Sequence, residues 1–570
     1  MIETELQHTE IIPYFCREEV NGGLGYRETP NNIVSPDLFI PSQLAEFVKG
    51  AVPEVWTRLL RRHHGDEREL TEALKEDVKA RILESPNNNA VFFNKNKSIS
   101  FEGERVPLYI PSGSELAGDA GFRKNIFAAV EEMSHDVVCD GVVLRRLRPD
   151  IAFFLNGIFI GYMELKSVTN GQSAAVNGRG KVVSDYLECV RDMAARSAAR
   201  PEVLEKTNRL KTLYLFEKGI HLVATDVNET YVLRTPGMFF DEAVKGFSER
   251  TATIGSLRPE VEKAFKAYPV SSPLLTNRVR FREVMQALYA KKSIEKEILY
   301  YNFVQYKYER RGRRKETHGG HGVLVSPRPK QKFGCDKIIS RVREMLAHEA
   351  EPDFYRNKLK AELEALLPGN PARVEEILAQ RDRYCNNKFV YSLLLQYAAG
   401  FGKSNIIGWT ALQLKNLRHE GAWAFDKILI VVDRLQLRDQ LDTTMQSMNI
   451  DKSMFTEVTN QPEFVQALAD NKRIIVVNIQ KFGELQNAID ESGAQLGRMR
   501  VAFLIDEIHR SNTGKDNREM INIFEKLQDG FNAARRGGTR TLKKNLLVGF
   551  TAGLSAFVRL YVRRFFSLCK

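Results

Sequence analysis

Cysteine is sparse and scattered in this sequence. The six residues, Cys16, Cys139, Cys189, Cys335, Cys385 and Cys569, include no CxxC pair. That argues against a disulfide framework or a cysteine zinc site and fits a reducing compartment. No stretch of about 18 apolar residues occurs, so neither a spanning helix nor a membrane partner is expected. The polar, acidic start MIETELQHTE is not a signal peptide, and a cytoplasmic location is expected. A large excess of one charge is also lacking, since Lys+Arg 84 against Asp+Glu 72 leaves only +12. This mild basic excess suits a polyanionic partner as well as simple solubility. What is present is a globular composition, 43% apolar and 27% charged over 570 residues, enough for three or four domains.

The chain is organised around residues 391–415, YSLLLQYAAGFGKSNIIGWTALQLK. The apolar run 391–395 reads as a buried strand and 398–403 as a tight loop. Ser404 then opens a segment with Ile407, Ala411 and Leu414 at helical spacing. Strand, glycine loop and helix together make a phosphate cradle. Gly400 and Gly402 let successive N–H groups turn toward one centre, and the helix N-terminus adds partial positive charge. Lys403 is placed to reach the β- and γ-phosphates of ATP, and Ser404 to put its hydroxyl on Mg²⁺. The first glycine of the strict Walker A pattern is missing, with Tyr397 in its place, so a structural strand–helix turn stays open as the alternative. Apolar strands recur at 428–432, within 472–482 and at 546–552, the first followed by a helix. VAFLIDEIHRS at 501–511 ends an apolar strand in Asp-Glu-Ile-His. Asp506 is expected to hold Mg²⁺ through water, Glu507 to orient or activate the attacking water, and His509 to link this site to a DNA-handling surface. Alternating strands and helices predict a parallel α/β sheet with ligands at the strand C-terminal ends.

A second signal lies in residues 148–167, RPDIAFFLNGIFIGYMELKS. Two β-prone runs, 151–155 and 158–165, flank Asn156-Gly157, a strong hairpin signal. Glu164 and Lys166 are two apart and share one strand face. A strict two-residue loop would put Asp150 opposite Met163, whereas a three-residue loop, 156–158, puts it opposite Glu164; the sequence is read as this bulged turn. Two carboxylates gathered there suit Mg²⁺, which polarises a phosphodiester and lowers the pKa of a bound water. Lys166 would stabilise charge on the phosphate or position the water. The alternative is a surface hairpin with solvated charges. Against it, Glu-Leu-Lys follows an almost wholly apolar run, where charges need partners or a metal.

Proline-Asp, an Asn-Gly hairpin and Glu-Leu-Lys-Ser resemble the PD-(D/E)xK nuclease core, in particular the N-terminal nuclease of the restriction subunit of Type I restriction–modification enzymes. Residues 219–233 resemble the strand pair that closes that domain. The family usually carries Gln-x-x-x-Tyr on the following helix. Tyr186 fits the tyrosine, Val182 holds the glutamine position, and Gln172 and Lys181 are off register. DRLQLRDQL, NIQKF and DEIHRSNTG resemble the first motor lobe of the same subunits, and the whole resemblance spans roughly 90–552. It implies ATP-dependent translocation and Mg²⁺-dependent endonucleolytic cleavage of double-stranded DNA, in a complex with methylation and specificity subunits. Asp150, Glu164, Lys166 and Glu507 would be catalytic. ATP would be held by Gly400, Gly402, Lys403, Ser404 and Asp506, and metal by Asp150, Glu164, Ser404 and Asp506. Gln331, in SPRPKQKF, is the candidate for the element that contacts adenine in superfamily 2 helicases.

The fold class expected is α/β: a PD-(D/E)xK nuclease-like mixed sheet followed by a RecA-like parallel lobe. The boundaries read as a nuclease domain at 1–240, a helical and basic linker at 241–330, a first motor lobe at 331–552 with a helical insert at 336–387, and a basic tail at 553–570. Within the first domain, 66–83 reads as an amphipathic helix, 91–93, 99–101 and 106–110 as strands, and 121–133 as a short helix. Residues 306–322, YKYERRGRRKETHGGHG, read as a linker that touches DNA phosphate or is simply solvated; His318 and His321 have no further ligand cluster nearby. From Gly530 onward there is no acidic residue and nine basic ones, and GLSAFVRLYVRRFFSLCK replaces the Thr-Pro expected after 552. An interrupted reading frame without the second motor lobe is therefore expected, with ATP bound but hardly turned over. Two other readings stay open: a superfamily 2 helicase-like DNA repair factor with a purely structural hairpin, and a non-catalytic DNA- and ATP-binding remnant.

Overall fold

Two sheets carry the chain, each built where the sequence supplies β-prone apolar runs. The computed structural model describes residues 7–85, 87–113, 118–167, 170–226, 228–234, 240–264, 268–269, 278–305, 308–311, 314–317, 323–349, 351, 353–384, 390–432, 455–458, 461–478, 499–507 and 545–551. The readings placed on 433–440, 479–482, His318, His321, His509 and the tail from Gly553 lie outside the described residues. The chain divides into two compact units, residues 1–304 with 316–329, and residues 305–315 with 330–570. No described helix is long and apolar enough to cross a membrane.

In the first unit seven strands lie side by side in chain order. They are β1 (Arg27–Thr29), β2 (Phe127–Glu131), β3 (Ile151–Leu155), β4 (Ile158–Leu165), β5 (His221–Thr225), β6 (Thr230–Leu233) and β7 (Tyr268–Pro269). β1 with β2 and β4 with β5 run parallel, and the other neighbours run antiparallel. Every residue of β3, β4 and β5 is buried, as a strand covered on both faces requires. Helix α1 (Arg179–Ser197) lies in the crossover from β4 to β5 and buries Val182, Tyr186, Leu187, Val190 and Met193.

The hairpin of β3 and β4 sets the register of everything at its open end. Asn156 and Gly157 have φ of 51° and 77°, the positive-φ pair that suits a two-residue hairpin turn. The three-residue loop expected from sequence is thus corrected: Leu155 faces Ile158 across a two-residue turn. The extra residue lies inside the hairpin instead. Phe154 faces Phe159, Phe153 faces Gly161, and Ile160 is left over as a bulge. Gly161 permits this, because a Cβ there would stand 2.1 Å from the His221 carbonyl oxygen, the close backbone approach that glycine in a strand often marks. Beyond the bulge Ile151 faces Met163, so the next step brings Asp150 level with Glu164. The turn itself is anchored: Asn156 is fully buried, its Oδ1 accepts the Ile126 N–H at 2.7 Å, and its Nδ2 donates to the Leu108 carbonyl at 2.8 Å.

Other elements depart from the sequence reading. Residues 91–93 are helical, inside Asn89–Lys95, where the Asn88 side chain accepts the Val91 N–H as an N-cap; a short buried apolar run fits helix or strand equally. Within 121–133 the helix stops at Phe122 and β2 follows, because its FAAVE run is buried in the sheet. The segment read as a linker contains strands Tyr308–Arg311 and Arg314–Thr317. Ser326, beyond it, donates its hydroxyl to Asn302 Oδ1 at 2.6 Å within the first unit. The helix read as starting the insert at 336 is α2 (Pro329–Ala347), and it begins earlier, at a proline whose missing N–H a first turn does not need.

The second unit holds β8 (Val390–Gln396), β9 (Lys427–Val432), β10 (Phe455–Val458), β11 (Ile474–Asn478), β12 (Val501–Ile505) and β13 (Asn545–Thr551). Their order is β8-β13-β12-β9-β11-β10, and every neighbouring pair is parallel. Helix α3 (Lys403–Lys415) follows β8. With β13 between β8 and β12, the loops that follow those two strands open on the same C-terminal edge, the usual place for ligands in such sheets.

The turn of the first hairpin is testable. A Cβ on Gly157 would stand 2.4 Å from the Ile40 carbonyl oxygen, whereas Gly103, with the same φ of 77°, has nothing within 4 Å. Gly103→Ala is expected to destabilise by about 1–2 kcal/mol, from the left-handed backbone alone. Gly157→Ala should cost roughly 2 kcal/mol more, from the collision. Denaturant unfolding followed by circular dichroism measures both, and equal losses would show that the turn is not wedged against Ile40.

Candidate functional site

The open end of the β3–β4 hairpin collects charge in an apolar setting. Asp150 is held across from Glu164 by the main chain: its Oδ2 accepts the Leu165 N–H at 2.6 Å, and its own carbonyl accepts the Glu132 N–H at 2.9 Å. Glu164 is the penultimate residue of the wholly buried β4 and is itself only 2% exposed. Lys166, two residues on, lies with its Nζ 3.8 Å from Glu164 Oε2. The three residues singled out from sequence are therefore brought together.

The helix that faces them presents different residues from those expected. Val182 and Tyr186 are fully buried, and the Tyr186 ring meets Phe216 edge-on at 5.6 Å. Burial first, and then the charge of Glu217, raises the Tyr186 phenol well above its ordinary value. Lys181, read as off register, is the residue that reaches the site. Its Nζ donates to both Glu164 oxygens, at 2.6 and 2.7 Å. Asp185, one turn further, shares that face, and its carboxyl is pushed up to about 6 by burial, against the pull of Lys181. A sequence signal existed: Lys181, Asp185 and Glu188 form a charged stripe on a helix whose other faces are largely apolar. Close approach of the helix start is allowed by Gly178, where a Cβ would stand 3.1 Å from Ala224 Cβ and 3.3 Å from Lys166 Cγ.

Glu164 is pushed up to about 8, chiefly by burial and then by the neighbouring Asp150 charge, against the pull of Lys181 and Lys166. For Lys181, burial opposes the ammonium, but the Glu164 carboxylate outweighs it and raises the lysine. Two facing carboxylates, one deeply buried, are a donor set that a divalent cation fits, since Mg²⁺ commonly takes one or two carboxylates and keeps several waters. Among the described residues no group of three or more His, Cys, Asp or Glu is placed to hold a metal, so such a site rests on Asp150 and Glu164 alone.

In the second unit β8 runs into a loop that turns at Gly400 and Gly402, with φ of 73° and 81°, and Gly402 caps α3. Tyr397 is tolerated where a glycine was expected because the positive-φ positions lie further on. Its ring stacks on Phe401 at 4.8 Å, and its hydroxyl donates to the Lys330 carbonyl at 3.3 Å. Lys403 Nζ stands 3.1 Å from Glu507 Oε1, which joins the loop after β8 to the residue pair after β12. Asp506 is buried, its N–H donates to the Val431 carbonyl at 3.0 Å, and its Oδ1 accepts the Glu507 N–H at 2.9 Å. Ser404 lies in the first turn of α3. Gln331 Nε2 donates to the Phe401 carbonyl at 2.6 Å, so Gln331 lies against this loop.

The raised carboxyl has a measurable consequence. Glu164 favours its protonated form in the folded unit, so its contribution to stability is present below about 4.5 and is lost as pH rises through about 8. Thermal unfolding in chelator, at about pH 5 and about pH 8.5, is expected to show the wild type losing stability relative to Glu164→Gln at the higher pH. A difference that stays constant with pH would mean that Glu164 titrates as an ordinary carboxylate.

Residues 394–533 match the SWI2/SNF2 ATPase family. No curated protein matches. Among solved structures, the chain is similar to the UvsW helicase from bacteriophage T4, at 15% identity and a TM-score of 0.21, over 33% of this chain and 57% of that one. It is also similar to the DEAD-box helicase Mss116 bound to ssRNA and UDP-BeF, at 13% identity and a TM-score of 0.24, over 33% of this chain and 37% of that one. The chain therefore spans less than two thirds of the length of either structure. Over 394–533, which holds Gly400, Gly402, Lys403, Ser404, Asp506 and Glu507, the chain is similar to the SWI2/SNF2 ATPases.

Proposed function

We propose that the chain joins an ATP-dependent motor segment acting on double-stranded DNA to a Mg²⁺-dependent endonuclease of PD-(D/E)xK type. The proposed assembly is that of the restriction subunit of a Type I restriction–modification enzyme, alongside methylation and specificity subunits. The observation that carries the nuclease half is the pairing of Asp150 with Glu164 at the buried end of the hairpin, with Lys166 beside them. When bound, Mg²⁺ polarises the phosphodiester and lowers the pKa of a water. Asp150 and Glu164 would hold it, and Lys166 would place its ammonium against the phosphate.

In the motor half, ATP with Mg²⁺ supplies the phosphoryl group whose transfer drives movement. The N–H groups of the loop at Gly400 and Gly402 would cradle the phosphates. Lys403 would leave Glu507 to neutralise the outer phosphates, which would free Glu507 to orient the attacking water. Ser404 and Asp506 would hold the metal, and Gln331, already against the loop, would lie toward the base. A second reading, a superfamily 2 helicase-like DNA repair factor with a purely structural hairpin, is favoured by the Lys181 pair, which gives Glu164 a partner without metal.

Removing one side chain from each half separates the readings. Lys403→Ala is expected to weaken ATP binding roughly 10- to 100-fold, the worth of a charge-assisted contact, and to leave Mg²⁺-dependent nicking without ATP intact. Asp150→Ala should leave ATP binding intact and lower nicking about 1000-fold, the several kcal/mol that a metal supplies. Nucleotide titration and plasmid nicking measure the two. Nicking that survives Asp150→Ala and Glu164→Ala would leave the repair-factor reading in place.

A further inference from the structure

The nuclease reading leaves Lys181 without a role, yet Lys181 makes the closest contacts to the carboxylate that reading needs. Its ammonium is chelated by both Glu164 oxygens, the geometry with which a carboxylate grips a single cation. Glu164 has a side chain 3% exposed, while that of Lys181 is 37% exposed. The carboxylate is thus fixed in the sheet, and the lysine reaches it on a flexible four-carbon stem from the first turn of α1. A buried carboxylate needs a cation, and removing one without replacement is strongly destabilising. A divalent cation on Asp150 and Glu164 therefore has to take the place that the ammonium holds.

The charges around this position set the sequence of events. Asp150, Glu164 and Asp185 lie close to Lys166 and Lys181, while Glu188, beside Asp185, is balanced by its ion pair with Arg145. A divalent cation binds carboxylates in their ionised form, and with all three ionised the group carries one net negative charge. Adding a dication turns it to one net positive charge, and one phosphodiester brings it back to zero. Metal alone must displace a well-seated ammonium into solvent, whereas metal with DNA gives that ammonium a phosphate to bind.

We propose, resting on the nuclease reading, that Lys181 is a resident counter-cation on Glu164 that divalent metal displaces, and that the displaced ammonium binds a DNA phosphate, so that metal and DNA bind cooperatively. Lys166 keeps its place beside the carboxylates throughout. Lys181 thereby acts as a positioning residue that keeps the site closed to metal until DNA arrives.

The test uses the full chain carrying Lys403→Ala, without nucleotide, and reads Mn²⁺ binding by the paramagnetic signal of free Mn²⁺, with and without a short DNA duplex. Only the part of the binding abolished by Asp150→Ala is counted. In the Lys181-bearing chain, duplex is expected to tighten Mn²⁺ about tenfold or more. Lys181→Met, which removes the charge and keeps most of the stem, is expected to bind Mn²⁺ about tenfold tighter without DNA and to lose most of the gain from duplex. Lys181→Gln should behave the same way, and circular dichroism checks that each variant folds. Affinity in both variants unchanged or weaker, with Asp150→Ala still abolishing binding, overturns the role of Lys181 and leaves the nuclease reading standing. No Asp150-dependent Mn²⁺ binding in any variant overturns both.

Discussion

Glu164 stands near the end of an eight-residue strand with no exposed position, and the first unit has to neutralise it. That single constraint organises what surrounds it. The bulge at Ile160 brings Asp150 level with it, the glycine at 178 lets helix α1 come close, and Lys181 extends from that helix to chelate it. A carboxylate in such a place is expensive unless paired, so the sheet, the helix approach and the lysine form one electrostatic arrangement. The seven-stranded sheet supplies the rigidity: Glu164 sits on a strand hydrogen-bonded on both sides, antiparallel to β3 and parallel to β5.

The second unit meets a comparable demand with main chain. Its loop turns at two left-handed glycines and leads directly into the start of a helix. Lys403 and Glu507 hold each other across the same strand edge. In each unit, then, a lysine is paired with the carboxylate whose work the proposed chemistry requires, and under that proposal binding would exchange the internal pair for a ligand.

Much of this was legible in the sequence. Wholly apolar runs marked the buried strands, Asn-Gly marked the turn, and the spacing of Gly400, Gly402 and Lys403 marked the loop. Asp150 facing Glu164 was also anticipated, but through the wrong device. The bulge lies inside the hairpin because Gly161 approaches the backbone of His221, a neighbour sixty residues on that no local pattern reveals. Lys181 was read as off register for a similar reason. Its contact depends on where the turn Ala174–Gly178 launches the helix, and a one-residue error in helix phase swings the side chain by about 100°. Residues 91–93 misled because phenylalanine and valine serve a buried helix as well as a strand, and the deciding evidence was an asparagine cap.

The way the chain is shared between the units has a consequence for its gene. Residues 305–315 belong to the second unit, and 316–329 return to the first, where Ser326 is tied to Asn302. The two compact bodies are therefore not two consecutive stretches of code. No single boundary yields both whole: a break near 304 removes residues 316–329 from the first, and a break near 330 takes residues 305–315 from the second. Producing either unit whole and by itself would therefore need a discontinuous splice rather than a single cut.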